Sequence, residues 1–198
     1  MQVIGLTGGI AAGKSIVSQM LAELGANIIN ADKIGHEIYL PQKDAWWDIV
    51  NAFGQDILLP DQRVDRARLG SIVFGDKEAL ATLNRITHPR IIEEAKREIE
   101  TLRTQKENDK PIIFEAAILI EANWLFLVDK VWVVIADREV SIERLQRDRN
   151  LDRAQAESRI NSQLSNAERI KYADLVIENN ASLEELRSQV ERGRKQFF

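Results

Sequence analysis

The sequence contains no cysteine. That absence excludes disulfides, thiolate catalysis and cysteine-based zinc sites together, and it fits a reducing compartment. Histidine is nearly as scarce: His36 and His88 stand alone, without metal-ligand spacing. No apolar run is long enough to span a bilayer. The N-terminus lacks a basic segment and carries glycines where a signal peptide would need its apolar stretch. A cytoplasmic location is therefore expected. Positive charge is not in surplus either. The net charge of -4 argues against general nucleic-acid binding, which needs lysines and arginines facing phosphates. Neither G-x-G-x-x-G nor N-K-x-D occurs, which removes the dinucleotide fingerprint and the guanine-reading motif. No internal repeat or low-complexity segment is visible. What is present is ordinary for a globular chain: 198 residues, 44% apolar and 29% charged, enough for one compact domain with insertions.

The chain opens with a short buried strand, Val3 to Leu6, and an amphipathic helix from Ser15 to Leu24 with Ile16, Val17, Met20, Leu21 and Leu24 on one face. Gly25 is a stop for it, and Asn27 to Asn30 is a second strand. Strand, glycine loop, helix and strand make a βαβ start and predict a parallel sheet. From about Lys33 to Arg103 no buried strand is apparent, and segments such as Ala79–Ile86 and Ile91–Leu102 have helical spacing. Thr104 to Lys110 is polar and predicts a loop. Strands resume at Pro111–Phe114, Lys130–Ile135 and Leu175–Ile177. Asp137 is placed to cap a helix running to about Arg147, Asp152 with Gln155 resembles a capping box, and Ser182 with Glu185 resembles another.

Between the first strand and the first helix lies Gly8-Gly9-Ile10-Ala11-Ala12-Gly13-Lys14-Ser15, a match to G-x-x-x-x-G-K-[ST] in its confirming context. A loop of this kind turns backbone N–H groups around an anionic phosphate, and glycine tolerates the backbone angles required. The helix N-terminus adds partial positive charge. Lys14 reaches the β- and γ-phosphates of a nucleotide, and Ser15 offers an oxygen to Mg²⁺.

A small chain with helical insertions suits phosphoryl transfer to a small molecule, which needs an acceptor hydroxyl, a carboxylate beside it and cations over the transferring group. Asp32, just past the second strand, is the natural carboxylate; from position alone it could equally cap the helix starting at Lys33. Glu115 ends the third strand, where an acid can position Mg²⁺ or simply add surface charge. Arg138, Arg144, Arg147, Arg149, Arg153 and Arg159 crowd the second insertion. Any single one fits a solvated helix face, but together they suit a flap closing on polyphosphate. His88 precedes Pro89 and is expected to shape a turn or touch ligand. Trp46 and Trp47 are adjacent, so on a helix one faces the core and the other is partly exposed.

With these residues in view, the chain resembles the dephospho-coenzyme A kinase family nearly end to end. The resemblance runs through IGLTGGIAAGKS, INADKIGHE, FGQDIL, VDRARLGSIVF, NRITHPRI, FEAAILIEANW, RLQRDR, RINSQ and ADLVIENN, in that order. It implies a P-loop kinase fold: a five-stranded parallel sheet flanked by helices (about 1–31, 110–137 and 170–198), a helical substrate-binding insertion (about 32–109) and a helical lid (about 138–169). The implied reaction moves the γ-phosphoryl of ATP, with Mg²⁺, to the ribose 3′-hydroxyl of dephospho-CoA. The small-molecule acceptor is the expected partner, without nucleic acid or membrane, for a monomer or a small homo-oligomer.

By the same resemblance the catalytic residues are Asp32, Lys14 and Arg147. Nucleotide contacts fall on Gly8 through Ile16, together with Arg144 and Asn179. Acceptor contacts fall on Thr7, Asp32, Arg66, Leu69, His88 and Glu121, and metal contacts on Ser15 and Glu115. The chain departs from the family pattern at several places. Ile16 replaces the usual threonine, Ala11 and Ala12 stand for glycine and serine, Glu115 for aspartate and Ala117 for proline. Alanine follows such a loop as long as φ is negative there. A kinase for another small acceptor, or a non-catalytic ATP-binding regulatory domain, are the competing readings. The first would not require VDRARLG and THP, and the second would predict loss of the acid or of the lid arginines.

Overall fold

The computed structural model describes residues 1–105 and 110–197. Most of the expected Thr104–Lys110 loop, residues 106–109, lies outside the described residues. The described residues divide into two compact units, 1–30 with 101–105 and 110–197, and 31–100.

The larger unit is built on a parallel sheet. Strands β1 (Val3–Gly8), β2 (Asn27–Asn30), β3 (Ile112–Glu115), β4 (Lys130–Ile135) and β5 (Leu175–Glu178) lie in the order β2-β3-β1-β4-β5. Because helices and loops cover both faces, the central strands read as continuous apolar runs rather than alternating ones. On one face Ile4, Leu6, Ile113, Trp132, Val134 and Ile177 pack against Val17, Met20 and Leu21 of α1 (Lys14–Glu23) and against Leu186 and Val190 further on. On the other face the segment after β3 closes the core, where Trp124 lies 6.4 Å from Phe114, ring to ring. Asp129 accepts the Val3 N–H at 2.8 Å and so fixes the start of β1. The register brings Leu6, Asn30 and Glu115 level with one another, with Gly8 two residues further along at the C-terminal edge. That edge is where parallel α/β sheets place their ligands.

The smaller unit is helical: α2 (Ala31–Glu37), α3 (Asp44–Phe53), a 3-10 turn (Gln55–Ile57), α4 (Arg66–Gly75) and most of α5 (Lys77–Thr104). Trp46, Ile49, Val50, Ile57, Val64 and Leu69 form its core. Trp46 is 5% exposed and Trp47 52%, the division expected for neighbours on one helix. Trp46 can be buried because its indole N–H donates to the Gln62 carbonyl at 2.7 Å.

Three local expectations need correction. Asp32 is not the cap of a helix beginning at Lys33, because α2 begins at Ala31 and Asp32 lies within its first turn. His88 does not shape a turn. Pro89 sits inside α5, which runs unbroken over both expected helical segments. Proline removes one backbone donor there, and neighbouring side chains occupy nearby carbonyls: Thr87 Oγ1 donates to Leu83 O at 2.9 Å and Arg90 Nη1 to Ile86 O at 2.7 Å. Asp137 occupies the cap position of α6 (Arg138–Arg149), but its side chain makes no capping bond; instead its N–H donates to Asn180 Oδ1 at 2.7 Å. The helix continues past Arg147 and closes at Asn150 in the left-handed region. The capping box at Asp152 and Gln155 opens α7 (Arg153–Asn161) as expected, and Ser165 with Glu168 makes an unanticipated one before α8 (Asn166–Ile170). Ser182 and Glu185 exchange hydrogen bonds ahead of α9 (Leu183–Phe197).

Candidate active site

The phosphate loop joins β1 to α1, and its shape follows from a turn and two left-handed residues. Ala12 N–H donates to Gly9 O at 3.1 Å. Ala11 lies at φ 59° and Gly13 at φ 94°. Alternating right- and left-handed residues aim successive N–H groups inward and create an anion-binding concavity. Among the described residues, the N–H groups of Ala11, Gly13 and Ser15 take no intramolecular partner. They are donors in need of an acceptor, at the positive end of α1.

The loop is held from outside by side chains of other elements. Asn179, directly after β5 and buried, donates from Nδ2 to Ala12 O at 2.8 Å. Arg144 of α6 donates to Ala11 O at 3.2 Å and to Asn179 O at 2.8 Å. Gln163, between α7 and α8, accepts the Ile10 N–H at 2.8 Å. Arg144 and Asn179 were expected at the nucleotide; here they bind the carbonyls of the loop that would hold it.

The positive φ at Ala11 overturns the condition under which alanine should fit. Left-handed backbone costs an L-residue about 1–2 kcal/mol. The structure supplies an offset: Ala11 and Ile10 pack against Ile142, Leu145 and Ala156 of α6 and α7. Burying a methyl contributes about 0.8 kcal/mol. Ile16, expected on the apolar face of α1 with Val17, Met20 and Leu21, is instead 42% exposed.

Lys14 and Glu115 form the charged centre. Lys14 Nζ lies 2.5 Å from Glu115 Oε1, Ser15 Oγ donates to the same oxygen at 3.3 Å, and Asn30 Nδ2 donates to Oε2 at 3.0 Å. Glu115 is 3% exposed. Burial pushes its carboxyl upward, but the Lys14 ammonium and the Ser18 and Ser15 hydroxyls outweigh that and hold it below the usual carboxylate range. Asn30 was not anticipated from sequence; its partner stands 85 residues away.

Among the described residues no cluster of three or more histidines, cysteines or carboxylates could hold a metal. The donor set at Ser15 and Glu115, one hydroxyl and one carboxylate, does fit Mg²⁺, a hard cation that keeps several waters and takes few protein oxygens.

Other expected site residues are distributed as follows. Thr7 is fully buried, with Oγ1 3.4 Å from Ala117 O. Glu121 accepts from Arg169 Nη2 at 2.6 Å. Arg147 lies on the outer face of α6, its side chain 72% exposed and paired with Asp148 at 2.6 Å. The structure thus brings Arg144 to the loop and leaves Arg147 at the surface. Arg153 pairs with Glu139 and Glu157, and Arg138 donates to Asn161, as expected for a solvated helix face.

In the helical unit Leu69 packs in the core. Asp32 and Arg66 are close enough to His36 to act on it. Burial and the Arg66 charge lower its pKa, while Asp32 opposes them. Burial also lowers that of His88. No helix among the described residues is long and apolar enough to cross a membrane.

A family model for Dephospho-CoA kinase matches residues 2–185. A dephospho-CoA kinase of Fusobacterium nucleatum is 46% identical over 192 residues, covering 97% of this chain and 96% of that one. The solved dephospho-CoA kinase of Campylobacter jejuni superposes with a TM-score of 0.73 at 29% identity, over 98% of this chain and 96% of that one. A Thermus thermophilus crystal structure does so with a TM-score of 0.84 at 25% identity, over 100% and 98%. With a loop built for phosphate and a match of this extent, the chain belongs to the dephospho-CoA kinase family.

Proposed function

We propose that the loop from Gly8 to Ser15 binds ATP and that its γ-phosphoryl passes to the ribose 3′-hydroxyl of dephospho-CoA, closing coenzyme A synthesis. The observation that carries this reading is the loop itself: open N–H groups at Ala11, Gly13 and Ser15 beside half-buried Lys14 and its buried partner Glu115. The acceptor oxygen attacks the γ-phosphorus, the bond to the β–γ bridging oxygen breaks, and ADP departs.

Asp32 follows β2 directly in the chain and is the group that takes the hydroxyl proton. Lys14 leaves Glu115 for the β- and γ-phosphates, where its charge stabilises the departing ADP oxygen and the phosphoryl in flight. Ser15 and Glu115 would hold Mg²⁺, which when bound neutralises charge on the phosphates. Among the described residues Arg147 pairs with Asp148 at the surface, where solvent screens the ion pair. It is therefore free to close over the transferring group. Arg66 and His88 face the acceptor. The lid is about 138–169 and the acceptor-binding insertion about 32–109.

An acceptor panel tests the reading. With ATP and Mg²⁺, dephospho-CoA should be phosphorylated far faster than AMP or shikimate. Faster turnover of either alternative would overturn it.

A further inference from the structure

We infer that Gln163 is a positioning residue for the phosphate loop, acting on it from the turn between α7 and α8. The reading rests on the proposed role of the loop in holding ATP. Gln163 Oε1 accepts the N–H of Ile10 at 2.8 Å. Together with Arg144 on Ala11 O and Asn179 on Ala12 O, it ties a backbone group of each of three successive loop residues. The donors at Ala11, Gly13 and Ser15 stay open among the described residues. Gln163 therefore engages an N–H outside the set left for phosphate and leaves that set oriented.

A buried charge anchors the turn that carries Gln163. Arg169 is 1% exposed, and its guanidinium bonds Glu121 Oε1 at 2.6 Å and the carbonyl of Leu164, the residue after Gln163. Its Nε has no hydrogen-bond partner among the described residues. A buried arginine with an unsatisfied nitrogen contributes little net stability, and such groups persist where they fix one arrangement against others. Here Arg169 fixes the turn at Leu164, beside Gly9 of the loop, where a Cβ would come within 3.3 Å of its Nη1. Gly9, Ile10 and Gln163 all line a cavity of about 370 Å³. The apolar side chains of Ile10 and Ala11 pack against α6 and α7, and the Gln163 hydrogen bond adds a directional tie at the Ile10 N–H on the side of the cavity. A path of contacts runs from Glu121, just past β3, through Arg169, Leu164 and Gln163 to Ile10. Through it the segment after β3 bears on the shape of the phosphate cradle.

The test is Gln163→Met, which keeps the side-chain volume and removes the acceptor, with Gln163→Asn as a second variant one methylene too short. Binding of a non-hydrolysable ATP analogue is measured by calorimetry, and the KM for dephospho-CoA by steady-state kinetics. Loss of a hydrogen bond of ordinary strength should weaken analogue binding about three- to tenfold in both variants. It should leave the KM for dephospho-CoA within about twofold and speed hydrogen exchange of the Ile10 amide. Unchanged analogue affinity and unchanged Ile10 exchange in folded variants would refute the inference. Tighter analogue binding would also refute it, by showing Gln163 to be a competitor of phosphate. The calorimetric result does not depend on which acceptor is phosphorylated, so it is separable from failure of the proposed function.

Discussion

Gly13→Ala is the substitution whose outcome the loop geometry fixes most closely. Gly13 has φ 94°, and a Cβ built there would lie 2.0 Å from Asn179 Nδ2, the atom that donates to Ala12 O. Gly25 offers an internal control, with the same φ of 94° and no atom within 4 Å of an added Cβ. Gly25→Ala isolates the backbone cost, about 1–2 kcal/mol. Gly13→Ala carries that cost and also displaces a buried hydrogen-bonding amide, for about 1–3 kcal/mol more. For a chain of this length each kcal/mol moves Tm by about 2–4 °C. The control should lose about 2–8 °C and Gly13→Ala about 4–20 °C, the latter with ATP-analogue binding weakened at least about tenfold as the inward N–H groups shift. Scanning calorimetry and analogue titration on both variants decide it. Equal Tm losses with retained analogue affinity would refute the account of Asn179 and Gly13 as a fitted pair.

Further expectations concern the charged groups. Asp32→Asn should lower turnover about 10²–10⁴-fold with ATP-analogue affinity unchanged; a near-parental rate would remove the proton-acceptor role. Arg147→Ala should cut kcat more than it weakens analogue binding, and Arg144→Ala should do the reverse because Arg144 already holds the loop at Ala11 O; identical profiles would remove the distinction. The pH dependence of stability follows from Glu115. Its folded-state pKa is depressed, so its contribution is complete above the ordinary carboxylate range and is lost as pH falls through the lowered value. The stability difference between the parent and Glu115→Gln, followed by urea denaturation, should shrink as pH is lowered; a constant difference would contradict the Lys14 pairing.

The sheet was legible because its signals are local. Asn27–Asn30 and Lys130–Ile135 match their expected bounds, and the glycine loop announces the turn between β1 and α1. The capping boxes at Asp152 and Ser182 lie within single helical turns and were equally readable. Pro89 misled, since a proline ends a helix in the average case, and here the helix continues with side chains on nearby carbonyls. The sign of φ at Ala11 was not readable either, because the packing of its methyl against α6 and α7 comes from residues more than a hundred positions away. Asn30 and Gln163 lie within the INADKIGHE and RINSQ segments and Arg169 lies outside every such segment, but no chemistry readable from sequence attaches to any of the three. Each gains meaning only from a partner placed by the fold: Glu115, Ile10 and Glu121. Among the arginines, composition pointed to a cluster, and only the helical phase of α6 decided that Arg144 faces the loop while Arg147 faces solvent.

The central claim is the destination of the γ-phosphoryl. With ATP labelled at the γ-phosphorus, Mg²⁺ and dephospho-CoA, label should appear in CoA in amounts equal to the ADP formed, and a 3′-nucleotidase should release it. Label in inorganic phosphate alone, or in a product resistant to that nucleotidase, would contradict the account.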